Sequence, residues 1–319
     1  MPFPRRCLSF SPHWGSLSHK LLSPFAPAPS RARAPPWQRA LACRAKAQEL
    51  NQLVTVHARD VGLEGLADGE LVAGAGAAAA AAAPAPLVVA CDLGACELVA
   101  ACARCRALGI PIISGSTHGF HGFLFQDGGA ARTYLHQPPA PAAAGDAAAS
   151  AAPPPPAEQR VAHYRSLAEV LEGGAREACA ALLGAQSRKF PPQPAVLGWV
   201  AVHAAAAGGR WALGASAPRE AWVEALQREV AACCGVGGGA DSQAAGAAGA
   251  AGAGLAAGVP CGELVDGRGG GAEVSPVAAV VGAMVANEAM KVVTGKDAPL
   301  NNFMCFDALG GSGGRVYKL

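Results

Sequence analysis

Charge and aromatic rings are scarce in this sequence: charged residues make up 15% and aromatics 5% of its 319 positions. A formal net charge of +2 gives no strong field of one sign, which argues against nucleic acid or an anionic membrane as the main partner. Long apolar runs are missing too. The one that begins at Val277 is broken by Asn287, Glu288 and Lys291, short of the about 20 residues a membrane span needs, so no transmembrane helix is expected. The eleven cysteines lack the even spacing of a disulfide framework and read as reduced thiols in a reducing compartment. Acidic residues are absent before Glu49, while Arg5, Arg6, Lys20, Arg31, Arg33 and Arg39 stand among serines and prolines. That is the composition of a transit peptide, and equally of a disordered leader or a mis-joined exon. On either reading, residues 1–43 have no expected place in the fold.

What the sequence has in excess is alanine, glycine and proline. Hydrophobic residues reach 51%, but alanine swells that figure and buries little surface. Three low-complexity tracts, 73–86, 138–156 and 235–258, cannot bury enough to offset chain entropy and read as insertions or linkers. The expected organisation is a leader at 1–43, an α/β part at 44–137, a Pro/Ala linker at 138–160, a separate small helical subdomain at 161–234, a Gly/Ala linker at 235–258, and a return to the sheet at 259–319.

Within these islands, Arg44 to Leu53 reads as a helix and Val54–His57 as a short strand. Leu87–Cys91 is a continuous apolar run typical of a buried parallel strand. A helix with Leu98, Cys102 and Cys105 on one face follows, and Gly109 stops it. Ile110–Ser114 and Gly122–Phe125 complete strand, helix and strand, a βαβ unit. Trp222, Leu226 and Val230 recur every fourth residue behind Pro218, which marks a helix. Near the end, Ser275 is the expected N-cap, Pro276 the first helical residue and Gly295 the C-cap of a helix apolar nearly all round, which should therefore be buried. Asn301–Asp307 then reads as a returning strand.

Candidate chemistry is thin. A nucleotide site in such a sheet needs glycines directly after the first strand, so that helix N-terminal N–H groups cradle phosphate. Gly252–Ala257 and Gly235–Ala240 fit a degenerate version of that fingerprint but follow no strand, and Gly295-Lys296 lacks the rest of a phosphate loop. Cys102 and Cys105, with Cys91 and Cys96 upstream, number enough thiols for zinc, yet they lie within a helix and read as core thiols. His118 and His121 invite a metal or acid–base reading; the glycines at 115, 119 and 122 favour a tight turn with one histidine hydrogen-bonded locally. No catalytic, cofactor-binding or metal-binding residue is assigned, and the chain does not read as a self-sufficient enzyme.

The stretch Ser275–Glu288 with Lys291, followed by Asn301-Asn302-Phe303 and Phe306-Asp307, resembles the closing helix and strand of the smaller subunits of SUMO-activating enzymes, with Ala283 in place of the family's second glycine. Ile110–Ser114, then Gly115, Gly119-Phe120-His121-Gly122-Phe123 and Phe125, is similar to the same family's strand and turn, and Leu50-Asn51 with Val54 to an earlier block. The resemblance covers about residues 44–319. It implies a ThiF-type, Rossmann-like α/β fold with a mostly parallel sheet, incomplete at the amino terminus, carrying the helical and low-complexity insertions. The family's leading arginine and first glycine loop have no counterpart in residues 1–43, so an amino-terminally truncated gene model is expected. The implied role is the non-catalytic subunit of a heterodimer whose large catalytic subunit binds ATP and Mg2+, adenylates SUMO and takes it as a thioester. Nuclear localisation is implied, or chloroplast if the basic leader is a transit peptide. The competing readings are a non-enzymatic pseudo-subunit or interaction protein, a NEDD8-activating subunit, and a plastid sulfur-carrier-activating relative.

Overall fold

A computed structural model of the chain describes residues 8–12, 36–59, 62–73, 86–138, 156–172, 177–179, 193–210, 217–234, 254–266, 274–310 and 313–319. The chain divides into two units, residues 1–86 and 87–319.

In the first unit, strand β1 (Leu8–Pro12) pairs antiparallel with β2 (Val54–Ala58), Leu8 opposite Ala58 and Pro12 opposite Val54. Residues 8–12 thus have a place in a sheet, against the expectation for the leader. Helix α1 (Pro36–Leu50) starts eight residues before the expected Arg44, with Pro36 at its first position, where the missing N–H costs nothing. Side chains on its last turns hold β2: Gln48 donates Nε2 to Val54 O and accepts from Val56 N at 2.9 Å, and Arg44 Nε donates to Val56 O at 3.0 Å. Val56 is buried. A short helix α2 (Asp68–Ala73) follows.

The second unit is built on a five-stranded sheet in the order β3–β4–β5–β8–β9. Its strands are β3 (Val88–Cys91), β4 (Ile112–His118), β5 (His121–Asp127), β8 (Phe303–Asp307) and β9 (Gly313–Tyr317). The architecture is α/β and Rossmann-like as expected, but among the described strands only β3–β4 is parallel; the other three pairings are antiparallel. The reason is local. A two-residue turn at Gly119-Phe120 joins β4 to β5, and so short a connection can join only antiparallel neighbours. Gly119 adopts a left-handed φ of 58° there, which glycine reaches without a Cβ clash. Strand β3 bounds the described sheet, and Val89 is 40% exposed, so the expected burial of this strand is corrected: it has one described neighbour, not two.

Helix α3 (Ala95–Ala107) links β3 to β4, burying Leu98, Cys102 and Cys105 before Gly109 turns the chain at φ 67°. The remaining elements are β6 (Ala131–His136), β7 (Glu158–His163), α4 (Leu167–Leu171), α5 (Pro194–Ala207), α6 (Arg219–Cys233), α7 (Cys261–Asp266) and α8 (Ser275–Thr294). Strands β6 and β7 form a two-stranded antiparallel ribbon, so Val161–His163 is strand where the helical subdomain was expected to begin.

The helices of that region form no separate body. Helix α5 packs against α3, α6 and α7 and lays Trp199 against the sheet, its ring centroid 6.0 Å from Phe125 and 4.6 Å from Phe303. Nearly every residue from Ala195 to Ala205 is buried. Helix α8 covers the opposite face on β4 and β5. It buries one stripe, Val277, Val281, Val285, Glu288 and Val292, whereas Met290 and Val293 are exposed. The expected all-round burial of α8 is therefore corrected, because among the described residues the sheet is the layer it packs on. By length and composition α8 could cross a membrane, but a stripe packed on a sheet is the pattern of a core helix. Val274 rather than Ser275 occupies the N-cap, and Gly295 closes the helix in the left-handed conformation at φ 65°.

Candidate functional site

Ligands of open α/β sheets bind beyond the carboxyl ends of the parallel strands. In this chain that edge gathers the end of β3, the β4–β5 turn, the end of β8 and one side of α7. The β3–α3 turn is Asp92-Leu93-Gly94. Asp92 is held at φ 52°; its N–H donates to Gly115 O at 2.9 Å, and its carboxylate Oδ1 accepts from Thr117 N at 3.0 Å. At the start of α3, Glu97 Oε2 accepts from Gly94 N at 2.8 Å. The side chain of the helix's own first turn thus occupies the position where an anion would dock.

The neighbouring turn repeats this scheme. Glu263, reaching across from α7, accepts from Phe120 N at 3.3 Å and from His121 Nδ1 at 2.9 Å. Asp307 lies on the other side of the imidazole, with Oδ1 3.8 Å from Nε2, and the same oxygen accepts from Leu309 N and Gly310 N, each at 2.9 Å. Ala308 N donates to Phe120 O at 3.0 Å, which ties the two turns together. The His121 side chain is 9% exposed, Asp307 16% and Glu263 35%, so the imidazole is enclosed between two carboxylates that still meet water.

Four carboxylates, Asp92, Glu97, Glu263 and Asp307, accept from backbone N–H groups at one sheet edge. A triphosphate needs those same donors and would face four negative charges. The described residues at this edge do not fit an ATP phosphate chain.

Other sequence candidates lie elsewhere. Cys102 and Cys105 are buried in α3; burial, with Asp127 and Cys105 adding to it, pushes the Cys102 thiol well above its ordinary range. Such a thiol is a poor metal ligand or nucleophile. Cys91 and Cys96 are exposed, so the four thiols do not converge, and no group of three His, Cys, Asp or Glu among the described residues could hold a metal ion. Of Gly252–Ala257, residues 254–257 form one helical turn rather than a phosphate loop, while Gly252, Ala253 and Gly235–Ala240 lie outside the described residues. Gly295-Lys296 closes α8, with Lys296 N donating to Thr294 Oγ1 at 3.3 Å; a helix C-terminus presents carbonyl oxygens and repels anions. His118 and His121 do flank a tight turn, but the bond to His121 comes from Glu263, 142 residues away, and not from a local group. Nothing in the local sequence could have announced that partner.

The fold and this edge define a Rossmann-like α/β protein whose described carboxyl edge is lined by carboxylates that accept from backbone N–H groups. Residues 37–318 match the ThiF family, and the chain belongs to that family, whose members serve the activation of ubiquitin-like modifiers and sulfur carriers. No curated protein matches the chain.

Proposed function

We propose that this chain is the non-catalytic subunit of a SUMO-activating heterodimer. In this reading it supports a large catalytic partner that binds ATP and Mg2+, adenylates the modifier's terminal carboxylate and captures it as a thioester in the nucleus, with neither nucleic acid nor membrane as a partner. The supporting observation is the closed carboxyl edge: Asp92, Glu97, Glu263 and Asp307 take the donors a nucleotide would use. A family member whose described sheet edge offers no free phosphate donors suits a role beside one that binds the nucleotide. The resemblance of Ser275–Glu288 and Asn301–Asp307 to SUMO-specific small subunits supports the choice of modifier.

The test mixes purified chain with a SUMO-specific catalytic subunit, ATP, Mg2+ and modifier, and follows the thioester on non-reducing gels. A rise in thioester over the catalytic subunit alone is expected. No rise would leave the non-enzymatic interaction reading, and parallel reactions with a NEDD8-specific subunit or a sulfur carrier decide between the related pathways. Tight ATP binding and adenylation by this chain in isolation would overturn the proposal.

A further inference from the structure

Away from the carboxyl edge, the ribbon β6–β7 leaves a strand edge open. Among the described residues β7 pairs only with β6, and Ala157 to Val161 are all exposed. The backbone groups this edge offers follow from the bonds on the ribbon's other side. Leu135 N donates to Gly295 O at 2.7 Å, and Leu135 O accepts from Asp297 N at 2.9 Å, so both polar groups of Leu135 point away from β7. Leu135 stands opposite Gln159, and bonded and non-bonded pairs alternate along an antiparallel ladder. Gln159 therefore turns its N–H and C=O away from β6, and by the same alternation so do Val161 and His163. The His163 oxygen obeys that parity: it accepts from Asn301 Nδ2 at 2.8 Å, a group outside the ribbon. The edge is thus closed at His163 and open from Ala157 to Val161. No proline or lysine stands between those two residues, so the stretch lacks the usual guards against strand addition; Pro156 ends it on the other side.

We propose that this edge is an interface with a second copy of this chain, β7 lying antiparallel to β7 about a two-fold axis at Gln159. Charge complementarity selects both the occupant and the register. Arg160 Nη2 donates to Glu158 Oε2 at 2.7 Å, so one face of the strand carries a positive and a negative side chain two positions apart. An axis at Gln159 sets Glu158 opposite the second copy's Arg160 and Arg160 opposite the second copy's Glu158, which is opposite charge at directly facing positions. An axis at Glu158 or at Arg160 sets like charges face to face, which destabilises a sheet. An axis at Val161 needs the His163 oxygen that Asn301 already holds. With the axis at Gln159, the outward N–H and C=O groups meet at Gln159 against Gln159 and at Val161 against Ala157, and each such pair exchanges backbone hydrogen bonds. The charged pairs fall between them, at the non-bonded positions where facing side chains stand closer. A strand whose two charges are each answered by its own copy is self-complementary, as an isologous contact requires. Val161, 51% exposed in the single chain, gains a neighbour in the same step.

This inference uses none of the carboxyl edge and does not depend on which modifier pathway the chain serves. The experiment reads the dimerisation constant of the full chain by sedimentation equilibrium over a range of concentrations. The wild type is expected to dimerise. E158R and R160E each set like charges opposite one another on both sides of the axis and should weaken the dimer about tenfold. An equimolar mixture of the two variants should associate again, because every facing pair between them is of opposite charge. Circular dichroism of each variant alone establishes that it is folded, and recovery in the mixture is a result that unfolding cannot produce. The register is read by crosslinking on non-reducing gels, against the background set by the exposed Cys43, Cys91 and Cys96. Q159C brings facing Cα atoms about 5.5 Å apart, within disulfide reach, whereas R160C leaves a diagonal separation of about 7–8 Å, beyond it. Q159C should therefore give a dithiothreitol-sensitive dimer that R160C does not. A monomer at every concentration, a dimer indifferent to both charge reversals, no recovery in the mixture, or R160C crosslinking as readily as Q159C would overturn the proposal.

Discussion

The two faces of the central sheet reach a close fit by opposite means. Toward α8 the sheet removes side chains: an added Cβ at Gly122 would overlap Val281 Cγ2, and one at Gly115 would lie 2.7 Å from Val285 Cγ2. At these two positions the helix rides on bare backbone, so four-residue-spaced valines reach the strands directly, with Ile113 and Leu124 packed among them. Toward α5 the sheet does the reverse. Phe123, Phe125, Phe303 and Tyr317 fill the space, and Trp199 stacks on His203 at 3.8 Å between them and the helices behind. Among the described residues this second face gathers five buried aromatic rings, Phe123, Phe125, Trp199, Phe303 and Tyr317, from a composition with 5% aromatics. The lesson is that the same sheet tolerates change differently on its two sides: the aromatic face fails by losing volume and the glycine face by gaining it.

The largest expected effect tests the first half of that contrast. Trp199→Ala removes the ring shared by Phe125, Phe303 and His203 and should cost about 3–5 kcal/mol, the range for emptying an aromatic site, read as a fall in urea midpoint without a change in slope. A loss under about 1 kcal/mol would show that the face collapses around the hole and is not held by that ring.

Next in size is a pH effect on the same face. His203 is buried beneath Trp199, donates Nδ1–H to Trp199 O at 2.7 Å, and burial, assisted by His118, lowers its imidazole from 6.5 to about 4. Folding therefore favours the neutral ring. Its contribution is fully present above about pH 6.5, declines as the unfolded chain gains the proton that the native site refuses, and is gone once pH falls through about 4. The size is about 3 kcal/mol by linkage. His203→Phe keeps the stacked ring and should flatten the stability profile across that window. An unchanged slope in the variant would assign the pH dependence to other groups.

The parts of this architecture that the sequence announced are those fixed by one-dimensional signals. Leu87–Cys91, the Gly109 stop, Ile110–Ser114 and the Gly119-Phe120 turn each carry their own instruction, as do Pro276 and Gly295 around α8. Ribbon β6–β7 was hidden because its strands, Ala131–His136 and Glu158–His163, are largely polar and exposed and stand on either side of the Pro/Ala tract. Strand β9 was hidden by Gly313 and Gly314, which lack the β-branched bulk that marks a strand. All-round burial belongs to α5 and not to α8, a difference of neighbours: α5 has the sheet on one side and helices α3, α4, α6 and α7 around the others, and such tertiary neighbours are not named by a single helix's periodicity. The carboxylate-lined edge was illegible for the same reason. Glu263 and Asp307 reach His121 only because α7 and β8 are brought to it by the fold.

The glycine face is tested by Gly122→Ala. The residue sits in a regular strand with no positive φ, so the methyl carries no backbone penalty and its whole effect is crowding against Val281, with Val277 Cγ1 and Phe306 Cβ each 3.6 Å away. Overpacking of this kind costs about 1–3 kcal/mol. Val281→Ala in the same chain should recover most of the loss, because it removes the atom that collides, while Val292→Ala farther along α8 should add to it. Equal behaviour of the two second-site changes would mean that α8 shifts as a body and that the close approach at Gly122 is not the controlling contact.

The smallest expected effect lies where the aromatic face meets the carboxyl edge. Glu263→Gln keeps an acceptor for Phe120 N but removes the charge beside His121, whose other nitrogen still faces Asp307. Helix α7 is also anchored by Leu264 and Val265, both buried, with Leu264 packed into the space left by Gly198. Apolar anchoring of that kind is indifferent to the charge, so the cost should stay below about 1 kcal/mol, as for other partly exposed ion pairs. The change should instead be local: faster hydrogen exchange at the Phe120 amide, with Ala308, bonded to Phe120 O, following it and Leu124 in mid-strand unaffected. A global loss as large as that of Trp199→Ala would show that α7 is fastened by charge rather than by packing, and the division between the two faces would then need a third, electrostatic, boundary at this edge.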